Sequence, residues 1–397
     1  MKKNHLLLIS IQSFFYAILC VLLLICKAMP ICANDSILLG QSCALEGQAK
    51  ELGINMRDGA MLYFSHINNQ GGIHGKNIKL ISYNDSYEPD TCIQQTQKLI
   101  KNDNVFLLFG YVGTPTSKVA VPIAEENKIP FFAPFSGAEF LRTPINRYIF
   151  NIRGSYYQET DAMVDRLINE KDIKRISVFY QDDAYGQAGF DGVQKALQKR
   201  GLQIWSKATY PRNTLEIDKA IEIIHPSQPG AIIMVGAYQP CAEFIKKIRD
   251  AGNGALLLNL SFVGADKLGE LLKNKGLGVV ITQVVPFPHY KKIPIVAEYN
   301  SLLKKYTPDS LPNYVGMEGF IASKILCNIL QTIEEPINQE KFIQAAERHS
   351  DEDLGGFSYS FSPTNHQGST MVDFSQIGPG GFIAPLKHLK HLYKYGQ

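Results

Sequence analysis

Short apolar runs alternate with helical patterns along most of the chain. The first run, over residues 37–41, is followed by Met56, Ala60 and Phe64, whose spacing of four places them on one face of a helix. Apolar runs of four to six residues that are joined by helices are typical of parallel strands buried on both faces. We therefore predict a doubly wound α/β unit. Its predicted strands are 37–41, 78–83, 105–110 and 129–132.

The same alternation starts again after Arg153. Two successive series of strands and helices predict two similar doubly wound lobes with parallel sheets. Residues 148–153, between the series, are predicted to form a strand-like hinge, and the tail over 356–385 contains short strand-like pieces. In the second series, the predicted helices are 159–169, 189–199, 215–224 and 242–251, and the predicted strands are 176–180, 204–210, 231–236 and 256–260.

Residues 1–33 differ in character from the rest of the chain. Lys2 and Lys3 precede an apolar run over 6–25, and Ala33 places a small residue before a polar segment. A basic start, an apolar middle and a small-residue end are typical of a secretory leader. An uncleaved membrane anchor is the alternative, because the run is long enough to cross a bilayer. We predict cleavage after Ala33 and export to the periplasm.

The chain without this leader has no net charge. Its 364 residues carry 37 basic and 37 acidic side chains, with histidine counted as neutral. A neutral chain gives no electrostatic reason to expect nucleic acid or an anionic membrane as a partner. The composition is that of a globular protein, and the length fits about two domains. Four cysteines remain, and they allow three complete disulfide pairings or free thiols: Cys43, Cys92, Cys241 and Cys327.

Signatures of catalysis and of cofactor binding are absent from the sequence. It contains no HExxH, paired CxxC, GxSxG, Walker A or GxGxxG motif. His388 and His391 could share a helix face, but no acidic or cysteine side chain lies near them to complete a metal site. Asp182 and Asp183 could support acid chemistry, but capping of the following helix is the expected role. We expect no enzyme activity, no metal and no cofactor.

Three loops after predicted strands combine glycine, hydroxyl and aromatic residues. Ligands of open α/β sheets bind at the carboxyl ends of the strands. Glycine lets backbone N–H groups approach a ligand, hydroxyls can hold an anion, and aromatic rings cover apolar parts. Any one loop could be an ordinary turn between a strand and a helix, but three such loops in two lobes favour a binding site. The loops are 110–116, 133–138 and 236–240.

A series of short motifs occurs in a fixed order along the chain. They are Ile67-Asn68-Asn69-Gln70-Gly71-Gly72-Ile73-His74-Gly75, Tyr83-Asn84-Asp85, Phe109-Gly110, Ile129-Pro130 with Ala133-Pro134, Asp183-Ala184-Tyr185-Gly186, and Tyr238. Their order and spacing resemble the type I periplasmic solute-binding proteins, in the branch that includes leucine/isoleucine/valine-binding receptors of ABC importers. The resemblance covers nearly all of the chain from residue 36.

This resemblance implies a non-enzymatic, monomeric receptor whose lobes close over a small organic solute. The receptor would deliver an amino acid or an aromatic or carboxylate compound to an inner-membrane ABC permease. A soluble sensor that presents its ligand to a membrane signalling protein is the alternative, and a nucleotide-using oxidoreductase is the enzyme alternative. The lobes would be joined by a hinge of several crossovers, with residues 34–152 and 285–358 in the first lobe and 153–284 and 359–397 in the second.

The resemblance also implies roles for individual residues. Thr114 matches a loop hydroxyl that holds the ligand carboxylate, as does the loop of Ser136 and Gly137. Tyr185 and Tyr238 match aromatic residues of the second lobe that close on the ligand.

This chain departs from the pattern at several of the family's positions. The acid that receives the ligand ammonium in amino-acid binders falls near Ser261 and Phe262, the disulfide falls near Tyr87 and Gly113, and Leu52 replaces an aromatic residue. A flatter or aromatic ligand would suit four side chains of the predicted site: Tyr111, Phe135, Tyr238 and Phe262.

We predict that the exported protein begins at Asn34 or within a few residues of it, because the leader pattern ends at Ala33. N-terminal sequencing of the protein recovered from the periplasm measures this directly. An intact segment over residues 6–25 on the recovered protein would contradict cleavage and favour the membrane anchor.

Overall fold

The computed structural model of the protein describes residues 36–395. The predicted leader over residues 1–33 lies outside the described residues, so its cleavage stays a prediction. Within residues 36–395, no helix combines the length and the apolar character that crossing a bilayer requires.

Five parallel strands form the sheet of the first lobe, in the order β2-β1-β3-β4-β5. The last three of these strands are only two or three residues long, and all their residues are buried, as expected for a sheet covered on both faces. The strands are β1 Ile37–Cys43, β2 Ile78–Asn84, β3 Leu107–Phe109, β4 Phe131–Phe132 and β5 Ile149–Phe150, and the helices between them are α1 Lys50–Asn68, α2 Pro89–Lys101 and α3 Thr114–Glu126.

Seven strands form the sheet of the second lobe, in the order β14-β13-β10-β9-β8-β6-β7. The prediction of two doubly wound lobes is confirmed, and the tail adds two antiparallel strands, β13 and β14, at one edge. The strands are β6 Ile176–Gln181, β7 Lys207–Tyr210, β8 Ala231–Val235, β9 Leu256–Asn259, β10 Val280–Gln283, β13 Asp373–Ile377 and β14 Ile383–Pro385. The helices that alternate with them are α4 Tyr156–Lys171, α5 Ala184–Gln198, α6 Asp218–Ile224, α7 Tyr238–Asp250 and α8 Ala265–Leu272.

The segment between β10 and β13 returns to the first lobe. Its first two helices pack on α1, and its third places Phe342 against rings of the first sheet, including Phe150. These helices are α9 Pro294–Tyr306, α10 Tyr314–Gln331 and α11 Gln339–Ala346, and they are followed by the short hairpin of β11 Glu352–Asp353 and β12 Ser358–Tyr359.

Several helices begin earlier than their apolar periodicity predicts. Helix α4 begins at Tyr156 rather than near 159, and α7 begins at Tyr238 rather than at 242. The first turns of these helices carry polar, small and aromatic residues, so they lack the apolar pattern by which a helix is recognised. The predicted capping role of Asp183 is confirmed, because its Oδ1 accepts a hydrogen bond from the N–H of Tyr185 at 2.9 Å.

Within the described residues, the chain crosses between the two lobes three times. Asn151 in the first crossover forms a parallel bridge with Gln367 in the third. The N–H of Asn151 donates to the carbonyl of His366 at 2.9 Å, and its carbonyl accepts from the N–H of Gly368 at 2.7 Å. The crossovers therefore support each other through backbone hydrogen bonds, which makes an ordered hinge rather than a flexible tether. The crossing segments are 151–155, 284–293 and 360–372.

The lobe boundaries themselves stay a prediction. The ring of Phe361 lies 5.5 Å from that of Phe150 on β5, and the ring of His366 stacks on Phe150 at 3.9 Å. These contacts place Phe361 and His366, in the third crossing segment, against the sheet of the first lobe.

No disulfide forms among the described residues. All four cysteines are buried free thiols, and burial raises the pKa of Cys92 to about 12. Tyr87 and Gly113, the positions that match the family's disulfide, are nevertheless neighbours. A Cβ atom placed on Gly113, which has a φ of +113°, would lie 2.2 Å from a ring carbon of Tyr87. An aromatic ring packed on a glycine therefore occupies the space where a bridge would stand.

Helices α1 and α10 approach each other at glycines. A Cβ atom at Gly59 would lie 2.0 Å from the carbonyl oxygen of Gly316, and one at Gly319 would lie 2.2 Å from the carbonyl oxygen of Met56. The two backbones therefore touch directly, and no larger side chain fits between them.

We predict that Gly59→Ala lowers the free energy of unfolding by about 1–3 kcal/mol, because the added methyl forces the helices apart. This cost should exceed the gain of about 1 kcal/mol that alanine brings to a helix. Unfolding in urea measures the change. Met61→Ala, at a partly exposed position of the same helix, is the control and should have a smaller effect. Unchanged stability of Gly59→Ala would contradict the close contact.

Candidate functional site

All eight predicted site residues lie after the carboxyl ends of strands and are buried. Thr114 is the first residue of α3, Tyr185 the second residue of α5 and Tyr238 the first residue of α7. These three residues therefore lie in first helical turns rather than in open loops, where free N–H groups and the helix dipole favour an anion. The eight are Tyr111, Thr114, Phe135, Ser136, Gly137, Tyr185, Tyr238 and Phe262.

The structure brings the predicted hydroxyl residues of the first lobe together. The Oγ1 of Thr114 lies 2.8 Å from the Oγ of Ser136 and 3.4 Å from the hydroxyl of Tyr156. Gly137 lets Tyr156 approach, because a Cβ atom at Gly137 would lie 2.4 Å from the Tyr156 ring. The backbone N–H of Tyr156 also donates to the carbonyl of Gly137 at 2.7 Å. The result is a buried group of three hydroxyls from both lobes.

Aromatic rings from both lobes meet beside these hydroxyls. The ring of Phe262 lies 5.3 Å from Phe135, 4.4 Å from Tyr185 and 6.1 Å from Tyr87, measured between ring centres. Phe262 and Tyr185 belong to the second lobe, whereas Phe135 and Tyr87 belong to the first. The hydroxyl of Tyr185 has no hydrogen-bond partner, although the side chain is fully buried. We call these four residues the aromatic cluster.

Tyr111 does not join the aromatic cluster, contrary to its predicted place in the site. Its hydroxyl lies 3.1 Å from that of Thr96, and its ring lies 4.9 Å from Phe131 in a separate apolar core of the first lobe. Neighbouring residues of an extended chain point to opposite sides. Val112 forms a bridge to Phe135 and faces the main core, so Tyr111 faces the other way.

Tyr238 lies at the rim of the contact between the lobes. Its hydroxyl accepts a hydrogen bond from the backbone N–H of Glu51 at 3.3 Å. Glu51 also lines a groove of about 1320 Å³ formed by α1, α8, the segment between α9 and α10, and residues 380–385. None of the eight predicted residues lines this groove. The groove and the buried site are therefore separate features that approach each other at Tyr238.

The structure adds buried charged residues to the predicted site. Glu159 on α4 accepts hydrogen bonds from the N–H and the hydroxyl of Ser261 at 2.8 and 3.0 Å, and from the hydroxyl of Thr282. Arg153 donates to the hydroxyl of Ser261 and lies 3.6 Å from Glu318 on α10. A carboxylate is thus present beside Ser261, although Ser261 itself is not acidic.

One signal in the sequence could have indicated these charges. Arg153 is the last residue of the segment 148–153 that was predicted to be a hinge, and a lone arginine that is buried at such a position needs a partner. Its partners lie six or more residues away in sequence, on α4 and α10, so spacing alone does not identify them. Within residues 36–395, no group of three or more histidine, cysteine, aspartate or glutamate side chains is placed to hold a metal ion.

Polar contacts also join the lobes at a second place, around Glu88. The carboxylate of Glu88, just before α2, lies 2.6 Å from a guanidinium nitrogen of Arg212 and accepts a hydrogen bond from Asn213 at 2.6 Å. Asn213 also donates to the carbonyl of Ser86 at 3.1 Å. The lobes are therefore held together by polar contacts at Glu88 as well as at Tyr238.

Comparison with known proteins gives a consistent set of relatives. A family model described as periplasmic binding protein matches residues 36–381. The chain is 22% identical over 392 residues to Leu/Ile/Val-binding protein homolog 7 of Brucella melitensis, and the match covers 91% of both chains. It is also 22% identical to an amino acid binding protein of Pseudomonas aeruginosa over 236 residues, but this match spans only 63% of that relative and 59% of this chain.

Solved structures share the whole architecture. A possible leucine/isoleucine/valine-binding protein from Rhodopirellula baltica is 34% identical with a TM-score of 0.86, and the match covers 92% of this chain and all of that one. A solute-binding protein of an ABC transporter from R. palustris, in complex with benzoate, is 18% identical with a TM-score of 0.78 over 89% of this chain and 96% of its own. The second likeness shows the fold alone.

We predict that Glu88→Ala shifts the protein towards a form with separated lobes, because it removes the contacts with Arg212 and Asn213. Partly exposed ion pairs contribute about 0.2–1 kcal/mol, so the ratio of closed to open forms should fall by up to about fivefold. The radius of gyration from solution scattering should increase. Glu243→Ala removes an ion pair with Lys246 within the second lobe and should leave the radius unchanged. Equal radii for Glu88→Ala and the wild type would contradict this role of Glu88.

Proposed function

The chain belongs to the periplasmic binding protein family, and on this premise we propose that it captures a small organic solute between its lobes and delivers it to an inner-membrane ABC permease. The family consists of solute-binding proteins, so the expectation of a non-enzymatic protein is confirmed by the match. The family name implies a periplasmic location. Export by a cleavable leader and a monomeric state are parts of the proposal.

One observation carries the proposal. Hydroxyl groups and aromatic rings from both lobes converge on one buried region, at the carboxyl ends of strands β3, β4, β6 and β9. In open α/β sheets, this end of the strands is where ligands bind. Each lobe supplies some of these side chains. A solute held between them would therefore contact both lobes and stabilise the closed arrangement over an open one. Capture by closure is the function that this geometry supports best.

We propose that the solute has a carboxylate and a flat or apolar body. Thr114 and Ser136 present hydroxyls at the start of α3, and a helix N-terminus favours an anion by about 0.3–1 kcal/mol. The rings of Phe135, Tyr185 and Phe262 would cover the body of the solute, as aromatic side chains do in small-molecule sites. The R. palustris neighbour holds benzoate, which has both of these parts.

Mass spectrometry of small molecules released from gently purified, then denatured, protein identifies the solute. A stoichiometric organic acid would support the proposal. The absence of any released molecule, together with no binding of amino acids or aromatic acids in calorimetry, would contradict it.

We predict that Thr114→Ala weakens binding of the carboxylate solute by about ten- to a hundredfold, since a hydrogen bond to a charged group contributes about 1.5–3 kcal/mol. Isothermal titration calorimetry measures the change. Thr214→Ala is the matched control, because the Thr214 hydroxyl forms hydrogen bonds only with the backbone of Pro211 and Glu216, in a partly exposed loop of the second lobe. Wild-type affinity in Thr114→Ala would remove Thr114 from the proposed site.

A further inference from the structure

A buried arginine and a buried glutamate face each other where the chain first crosses between the lobes. The side chain of Arg153 is fully buried, and its Nε lies 3.6 Å from Oε1 of Glu318, which is 3% exposed. This separation is too long for a good hydrogen bond. The Nε and Nη1 atoms of Arg153 and the Oε1 atom of Glu318 have no hydrogen-bond partner. Unused donors and an unused acceptor therefore lie side by side.

Glu159, which lies beside Arg153, shows that carboxylate oxygens in this part of the structure are otherwise paired. Glu159 is equally buried, and both of its carboxylate oxygens accept hydrogen bonds from Ser261 or Thr282. Buried polar groups in native proteins are nearly always paired, and an unpaired group of a buried charge calls for an explanation. A group of the solute that forms hydrogen bonds with both side chains would account for the unpaired atoms of Arg153 and Glu318.

We propose that Arg153 binds an anionic oxygen of the solute and that Glu318, in its protonated form, donates a hydrogen bond to the same acidic group. This inference rests on the proposed function and adds the residue that supplies the positive charge. The ring of Phe135, the neighbour of Ser136, lies 4.6 Å from the guanidinium carbon of Arg153. The cation therefore borders the aromatic cluster and the loop that carries Ser136.

When Glu318 holds a proton, the two guanidinium groups around the pair outnumber the one remaining carboxylate, so the charges favour an anion over a cation. Besides Arg153, the groups that act on Glu318 are Glu159 on α4 and the guanidinium of Arg142, which donates to the carbonyl of Arg153 at 3.0 Å. Tyr156 and Tyr185 face Arg153 from the second lobe. An ammonium group at this place would lie beside a guanidinium, whereas a carboxylate requires only that Glu318 holds a proton.

Glu318 can hold that proton near neutral pH. Burial raises the pKa of Glu318 to about 7, against the opposing effect of Arg153. An anion bound beside it raises the pKa further, so that binding takes up a proton. The affinity should therefore be full below pH 7 and fall as the pH rises through about 7. Between pH 6 and pH 8, we expect binding to weaken by about tenfold.

Calorimetry of the exported full-length protein with benzoate, benzamide and valine tests this assignment. Benzamide keeps the flat body of benzoate without its charge, and valine adds an ammonium group. Wild type should bind benzoate more tightly than benzamide, and about tenfold more tightly at pH 6 than at pH 8. Arg153→Met should weaken benzoate binding by about thirtyfold or more. Glu318→Gln should bind benzoate equally well at both pH values, since glutamine donates a hydrogen bond without titrating.

Matched variants separate binding from folding. Arg166→Met is the control, because Arg166 also lies over an aromatic ring, that of Phe374, and beside a glutamate, Glu170, but at the outside of the second lobe. It should leave the affinity and its pH dependence unchanged. If Arg153→Met unfolds on its own, the double variant with Glu318→Gln removes the unpaired carboxylate, and thermal unfolding shows whether the fold is restored.

Several results would overturn the assignment. One is an affinity of Arg153→Met for benzoate equal to that of the wild type. Another is binding of a probe to the wild type that strengthens from pH 6 to pH 8, as expected for an ammonium group held by ionised Glu318. If none of the three probes binds, the same variants are tested with the molecule released from the purified protein. A released molecule without an acidic group overturns this inference and the proposed carboxylate of the solute, but it leaves solute capture standing. The absence of any released molecule, together with no binding of the probes, overturns the proposed function.

Discussion

Arg153 carries a positive charge into the interior where the chain first crosses between the lobes, and a carboxyl group from each lobe lies beside it. Glu318 comes from the first lobe, and Glu159 comes from the second. Leaving a buried charge without its partner costs about 3–5 kcal/mol, so Arg153 needs Glu159 or a bound anion beside it when water is excluded. Separation of the lobes would expose the same atoms to water and to a solute. Closure and recognition therefore depend on the same few side chains, at a position where the backbone of the hinge is fixed by its pairing with Gln367.

The fold could be predicted from the sequence wherever apolar runs alternate with helical patterns. Strands such as Ile37–Cys43 and Ala231–Val235 are apolar, buried on both faces and flanked by helices, so their period and length identify them. Helix starts were not predicted where the first turn faces the other lobe, as at Tyr156 and Tyr238. Residues of these turns contact the other lobe, so they do not continue the apolar spacing by which the rest of the helix is recognised. Residues 261–355 gave no prediction of helices or strands. Helix Tyr314–Gln331 is buried along most of its length, and an apolar segment of this kind has no amphipathic period to read.

The candidate site was predictable only in part. Glycine, hydroxyl and aromatic residues after strands pointed to the loops of Thr114 and Ser136, since the turn at the end of a strand is determined by local sequence, whereas Phe262 entered the predicted site only through the family resemblance. Tyr111 was assigned to the wrong side, because a one-residue change in an extended segment reverses the direction of a side chain. Arg153 and Glu318 are 165 positions apart in the chain, so only the folded structure shows that their unused hydrogen-bonding atoms meet. The polar half of the site therefore could not be found from spacing.

The central claim is that a solute is captured by closure of the two lobes, and the distance between the lobes tests it most directly. Spin labels on cysteines introduced at Glu126 of α3 and Gln194 of α5 would report this distance by pulsed electron resonance, because both positions are exposed and the four native thiols within residues 36–395 are buried. Protein stripped of its solute should show a broad or double distribution that includes a longer distance, and returning the released solute should leave one short distance. A distribution that is the same with and without the solute would contradict capture by closure.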